Sequence, residues 1–251
     1  MRTVLGQTYL GLGQLAPATE QIERALEIRR GMTGGVPREM GLLLVTESGL
    51  RRDAAEHDAA LASAAAAARI FREHPTARPG DLLLAYHHET RNLLDTQRYA
   101  EAESVLTLCE AVAPRVAGEQ RILVAENHSL RADLLRERDG DAAAADSLSR
   151  VAFATARAID PDHAVLTQYL NNAAQYRSES GDLEGALADF DAALALYEES
   201  FGTDHPEYAT CLENRGGVLY RLGRVDETFA ALEQVREIRR RNLGPDHIDV
   251  V

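Results

Sequence analysis

Three short motifs recur at one fixed distance along this chain. "DPDH" ends at His163, "GTDH" at His205 and "GPDH" at His247, each 42 residues after the last. Gly181 of "ESGDLEGAL" and Gly223 of "RLGRVDETF" keep the same spacing, as do Asn172 and Asn214. A fixed period of this size means that one small unit is repeated and that each copy covers its hydrophobic faces with its neighbours. The composition says what the unit is made of. Apolar weight lies in Ala and Leu, there is no Trp, and Glu, Arg and Gln supply much of the remainder, all residues that lose little on entering a helix. An all-α protein follows.

The copies "GDLEGALADFDAALALYEESFGTDH" and "GRVDETFAALEQVREIRRRNLGPDH" read as a helical hairpin. Helix A ends near Gly181 or Gly223, which can adopt the left-handed conformation that closes a helix, and helix B begins two residues later. Ala186 and Ala193 let the two backbones approach, with Phe190 and Leu232 filling the space beside them. The N-terminal stretch "LGQTYLGLGQLAPATEQIERALEIRR" lies five periods before its counterpart, with Ala18, Ile22 and Ala25 in the same roles. Its Leu5, Gly6, Tyr9, Gly13, Ala18, Ile22, Ala25 and Leu26 stand at the offsets of the tetratricopeptide repeat, which this segment resembles. The 42-residue spacing and the "GPDHP"-like linker resemble the longer, kinesin-light-chain-like subclass.

Weaker copies fill the interval. "RYAEAESVLTLCEAVAP" places Tyr99, Ala102, Leu106 and Cys109 in the pattern, and "DGDAAAADSLSRVAFATARAI" places Gly140, Ala145 and Ala152. "LRRDAAEHDAALASAAAAARIF" fits loosely and lacks the turn glycine. The expected organisation is a single array with repeats at 1–34, 38–74, 81–114, 120–158, 162–201 and 204–243, and 244–251 opening a further one. The resemblance implies a right-handed superhelical solenoid of about six hairpins.

Within that scheme "GTDHPEYAT" is punctuation. Gly202 ends one helix B, Asp204 is expected to accept hydrogen bonds from the first amides of the next helix, Pro206 sits in the first turn, and Glu207 completes a capping pair. An acid and a histidine repeated from one junction to the next, at 162–163, 204–205 and 246–247, have no convergent partner, so capping outweighs catalysis.

The excluded classes follow from charge and motifs. With 27 basic residues against 40 acidic ones the net charge is −13, which repels phosphate backbones and anionic lipid surfaces. No apolar run approaches the length of a membrane span. Cys109 and Cys211 are too few and too separated for a disulfide framework, which fits a reducing cytoplasm. Phosphate-loop, nucleophile-elbow, zinc-protease and kinase signatures are missing, so the chain reads as non-enzymatic with no cofactor. Adjacent His87 and His88 point about 100° apart on a helix and do not form the i, i+4 grip of a metal site.

Recognition is expected on the exposed stripe of the A helices. The helical phase places Gln168, Asn171, Asn172 and Gln175 there in one repeat and Asn214 and Arg221 in the next, with His87, His88, Arg91, Asn127 and Arg131 earlier. Amides can bond both groups of a peptide unit, and arginine can hold a carboxylate, as His87, Arg91 and Arg131 are expected to do for acidic groups. The resemblance implies that Asn171, Asn172 and Asn214 hold the backbone of an extended peptide; a plain solvated face is the alternative. Neither end carries the polar cap that closes a solenoid. That leaves two partner classes open, a peptide or protein ligand and a second copy stacked on the ends. In larger bacterial proteins such arrays accompany kinase, nucleotide-switch or DNA-binding domains, so the resemblance implies a regulatory or signalling setting.

Overall fold

Helices follow one another in pairs. The computed structural model describes residues 15–31, 37–161 and 165–244, and every regular element among them is helical. Cα packing divides the chain into two compact units, Met1–Leu130 and Arg131–Val251. The first holds α1 (Leu15–Gly31), α2 (Pro37–Asp53), α3 (His57–Glu73), α4 (Pro79–Asp95) and α5 (Tyr99–Val112), and α6 (Ile122–Leu134) begins in it. The second continues with a π turn (Leu135–Asp139), α7 (Ala142–Ile159), α8 (Val165–Glu179), α9 (Leu183–Phe201), α10 (Pro206–Arg221) and α11 (Val225–Leu243). Leu5, Gly6, Tyr9, Gly13, the His163 linker and residues 245–251 lie outside the described residues.

The hairpin turns explain the degenerate copies. Gly181 and Gly223 have φ of 97° and 74°, as a left-handed closure requires. Counting 42 residues back from Gln97 lands on Ala55, and these two non-glycine residues take the same conformation, with φ of 58° and 59°. Each turn closes with the same two bonds. The Arg98 amide donates to the Leu93 carbonyl (2.8 Å) and Gln97 to Leu94 (2.8 Å), as Asp182 does to Arg177 (3.1 Å) and Gly181 to Ser178 (3.1 Å). The loosely fitting second copy is therefore a regular hairpin, α2 and α3, whose turn uses Ala55 in place of glycine. Left-handed backbone costs a side-chain-bearing residue about 1 kcal/mol. Gln97→Gly is expected to raise stability by about 1 kcal/mol, read as a higher urea midpoint at unchanged slope.

Gly140 stands one residue late in the count, 43 after Gln97 and 41 before Gly181. The π turn takes up that residue: the Asp141 amide donates to the Leu135 carbonyl, six positions back, at 3.2 Å.

Small residues set the helix spacing, as the sequence predicts. On α3 the buried stripe is Ala60, Ser63, Ala64, Ala67, Ala68 and Phe71, one helical face at i, i+3, i+4, i+7, i+8 and i+11. Gly41 on α2 makes room for Phe71, since a Cβ there would lie 2.5 Å from the ring. In the second unit Ala186, Leu187, Phe190, Ala193, Leu194 and Tyr197 of α9 pack with Ala209, Leu212, Val218 and Leu219 of α10 and Ala231, Val235 and Ile238 of α11. Ala18 and Ile22 are likewise fully buried. Leu232 departs from expectation. It is 42% exposed.

Polar pairs join one A helix to the next at a step of 43 residues. Arg38 binds Asp81, Asp133 accepts from the Tyr176 hydroxyl, Asn171 accepts from Asn214, and Ser178 accepts from Arg221. Asp81 is the most enclosed of these. It is 1% exposed and accepts from Arg38 Nε (2.6 Å) and Nη2 (2.8 Å), the Arg78 amide (2.9 Å) and Gln120 Nε2 (3.2 Å). Gln120 reaches it over Gly80, where any Cβ would lie 2.4 Å from the side chain.

Candidate functional site

On α8 the odd man out among buried neighbours is a single polar row. Leu166, Thr167, Tyr169, Ala173, Ala174 and Tyr176 turn inward, which leaves Gln168, Asn171, Asn172 and Gln175 outward at i, i+3, i+4 and i+7. Gln168 is exposed and the other three are half-exposed. Asn214 of α10 stands beside this row, its Nδ2 donating to Asn171 Oδ1 at 3.3 Å. In this arrangement Asn171 keeps its NH2 group and Asn214 its carbonyl for an incoming ligand. Gln168, Asn172 and Gln175 make no side-chain hydrogen bond among the described residues. Five amides thus offer donors and acceptors together.

Arg221 is not free in the way the sequence implies. Its Nη1 donates to the Ser178 carbonyl (2.9 Å) and hydroxyl (2.6 Å), so it ties α10 to the last turn of α8. It closes a helix end whose carbonyls lack intrahelical partners.

In the first unit the expected stripe is partly inside. His87 and Asn127 are buried, and Asn127 Nδ2 donates to the Leu123 carbonyl of its own helix at 2.7 Å. His88 is half-buried against Gly49, where an added Cβ would meet its ring at 3.3 Å. The two imidazoles meet edge to face, with centroids 5.8 Å apart. Burial, joined by Arg91 and His88, pushes His87 well below the usual histidine range; burial, Arg52 and Arg91 push His88 down to about 4. Both rings are neutral at pH 7. His87 therefore cannot address acidic groups as a cation, which corrects the sequence reading, and its contact with Glu126 (3.4 Å) is not an ion pair. Burial also raises the Glu126 carboxyl against the pull of Arg91. Among the described residues Arg91 is the partly buried arginine left without an ion-pair or hydrogen-bond partner, so it can receive a carboxylate. Arg131, half-buried near the end of α6, falls in the second unit.

The linker acid and histidine exchange roles. His205, not Asp204, caps α10: its Nδ1 accepts from the Glu207 amide at 3.2 Å, with Pro206 in the first turn. Asp204 is held instead by the end of α11, where Arg241 Nη1 donates to its carboxylate (3.1 Å) and Asn242 Nδ2 to its carbonyl (2.8 Å). The His205 ring also packs on Phe201, 4.9 Å between centroids. His205 thus caps one helix while Asp204 ties the linker to the end of another.

Tyr169, Tyr176 and Tyr197 are buried, and Cys109 and Cys211 are buried free thiols, with burial pushing Cys211 up to about 12. No helix among the described residues is long and apolar enough to cross a membrane.

Paired helices closed by a left-handed turn, stacked so that A helices bond A helices and leave an amide row outside, define a helical-hairpin repeat protein. Family models of the tetratricopeptide repeat match residues 164–241 and residues 1–31. Those two stretches match the tetratricopeptide repeat, and the helical-hairpin fold of the described residues agrees with it. No curated relative matches it in sequence. Among solved structures it is similar to BtubC (BKLC) from P. vanneervenii, with a TM-score of 0.77 and 17% identity over 92% of each chain. It is similar to the nearly identical repeats of a putative kinesin light chain from Podosopora anserina, with a TM-score of 0.52 and 16% identity over 96% of this chain and 95% of that one. A Rap protein complexed with competence and sporulation factor shares the fold at a TM-score of 0.68 and 11% identity, over 96% of this chain and 74% of its own. At these identities the likeness is one of fold.

Proposed function

We propose that this chain is a non-enzymatic recognition module whose α8 and α10 amide row binds an extended peptide segment of a partner protein. The Asn171–Asn214 pair carries the reading, because it fixes two amides across adjacent A helices and leaves one donor and one acceptor free. An extended backbone presents N–H and C=O groups in alternation and can be met by such a pair, with Gln168, Asn172 and Gln175 extending the contact. Arg91 of the first unit offers a place for an acidic side chain. A Rap protein of similar fold was solved in complex with competence and sporulation factor, which supports ligand binding on this architecture. The net charge of −13 disfavours nucleic acid as the partner. The 210 residues from Gly13 to Gly223, five periods of 42, fit one repeat array, which we read as serving in a regulatory or signalling protein, and the two buried free thiols fit the cytoplasm.

The test uses peptides selected on the intact chain from a display library and measured by titration calorimetry. Replacing Asn171, Asn172 and Asn214 together with alanine is expected to weaken them about 30-fold or more, at unchanged helical content. Equal affinity in the two proteins would place the site elsewhere.

A further inference from the structure

His87 of α4 and Glu126 of α6 face each other across two A helices without a settled bond. The His87 Nδ1 lies 3.4 Å from Glu126 Oε2, yet no hydrogen bond forms there, and Nδ1 of both His87 and His88 is buried without a partner. Two orphaned ring nitrogens side by side are costly, because each has given up water with no bond in return. The pair is not sealed in. The Glu126 side chain is 27% exposed, so the carboxylate reaches solvent.

The charges around the pair decide how it titrates. Arg52 and Asp53 act on it from α2, and His88 and Arg91 from α4 itself. Glu89, on the same helix, answers instead to Arg72 of α3 and Glu101 of α5. Arg52 is engaged, with Asp53 at 2.9 Å and Asp95 at 3.8 Å. Arg91 has no ion pair or hydrogen bond among the described residues, and its charge is what offsets burial at the Glu126 carboxyl. An incoming carboxylate that takes Arg91 therefore changes two things at once. It draws the guanidinium's field off Glu126 and adds a negative charge nearby, and both favour a proton on the pair. A proton held between Nδ1 and Oε2 also gives each atom the partner it lacks.

We propose that the first unit binds a peptide carboxylate on Arg91 with uptake of a proton by the His87 and Glu126 pair, so that acidic segments are held more tightly as the pH falls. This rests on Arg91 holding the carboxylate, as proposed above, and adds what regulates it. The sign follows from linkage: binding raises the proton affinity of the pair, so affinity grows as the pH falls through the window between its free and liganded values. The peptide's own carboxyl works the other way, since below about pH 5 it begins to lose its charge. An average uptake of about half a proton between about pH 7.5 and about pH 5.5 amounts to about a tenfold gain.

The probe is acetyl-Ala-Ala-Glu-Ala-Ala-amide, which carries one carboxylate, titrated to about 20 mM into the isotope-labelled full chain and followed by NMR. Its dissociation constant is expected to fall about tenfold from about pH 7.5 to about pH 5.5, and the His87 ring nitrogens are expected to shift on binding at about pH 6 as the proton joins the pair. The ring readout needs no variant. Glu126→Gln keeps the shape and leaves Arg91 in place but cannot take the proton, so it is expected to bind with one affinity across the range. That comparison also removes the exposed histidines, whose charging eases the general repulsion of an acidic chain in both proteins. Arg91→Gln is expected to lose the peptide at every pH, and the same peptide with glutamine in place of glutamate is expected not to bind. Binding that needs Arg91 but shows neither the tenfold change nor the ring shift would overturn the proton uptake and leave Arg91 as the carboxylate's place. Binding indifferent to Arg91, or none at all, would overturn both, and a pH dependence that survives in Glu126→Gln would overturn the assignment to this pair.

Discussion

Asp81→Ala is expected to lower the free energy of unfolding by about 3 kcal/mol, although the residue belongs to no binding face. The substitution strips the partner from the Arg38 guanidinium, the Arg78 amide and the Gln120 side chain at once. A buried charge left without its counterion is the costly case, and the partial exposure of Arg38 keeps the loss from being larger. Asp81→Asn retains the shape and one acceptor and is expected to cost less. Acid sensitivity separates the charge from the packing. Burial alone would raise this carboxyl, but the bonds from Arg38, the Arg78 amide and Gln120 hold it below the usual aspartate range. Its stabilisation is complete above the unfolded value of about 4 and disappears as the pH falls through the lower folded value. Urea midpoints measured from neutral pH down through that window should fall less steeply for Asp81→Asn than for the wild type.

Phe190→Ala is expected to cost about 4 kcal/mol, and truncation to alanine at the same repeat position one period later, Leu232→Ala, less than about 1 kcal/mol. Phe190 is enclosed among α9, α10 and α11, so its removal loses transfer free energy and leaves a cavity that rigid helices fill poorly. Leu232 already meets solvent and leaves no cavity. Chemical denaturation of the two variants, compared at constant slope, checks whether position in the stack and not position in the repeat decides the effect.

Much of this architecture can be read from the chain because the repeat supplies its own internal reference. Gly181 and Gly223 announce the turns, and the 42-residue count carries those turns to Ala55 and Gln97, where no glycine marks them. What the count does not carry is anything decided by a neighbouring hairpin. His87 lies on the stripe that periodicity calls exposed, yet packing between α4 and its neighbours buries it and removes its charge. Arg221 reads as a ligand group, but a carbonyl at the end of α8 lies within reach and claims it. Asp204 and His205 are both capping residues by type, and only the backbone path at Pro206 decides that the imidazole faces the Glu207 amide. Asp81 carries no signal in "RPGDLLL" beyond an acid in a first helical turn, since its partners Arg38 and Gln120 lie 43 and 39 residues away. Gln168, Asn171, Asn172 and Gln175 were legible because a surface row on one helix depends only on that helix.

The 43-residue pairs between A helices make the order of hairpins matter. A chain of interchangeable modules could be shuffled, lengthened or shortened a period at a time. Here three junctions are locks whose halves lie in successive modules: arginine to aspartate at Arg38 and Asp81, acid to phenol at Asp133 and Tyr176, amide to amide at Asn171 and Asn214. Moving the hairpin of α4 and α5 behind one with no arginine at the Arg38 position would seal a bare carboxylate inside the new junction. Recombination between such arrays is thereby restricted to cuts that keep both halves, and a designer grafting one hairpin must graft the facing half of its neighbour with it.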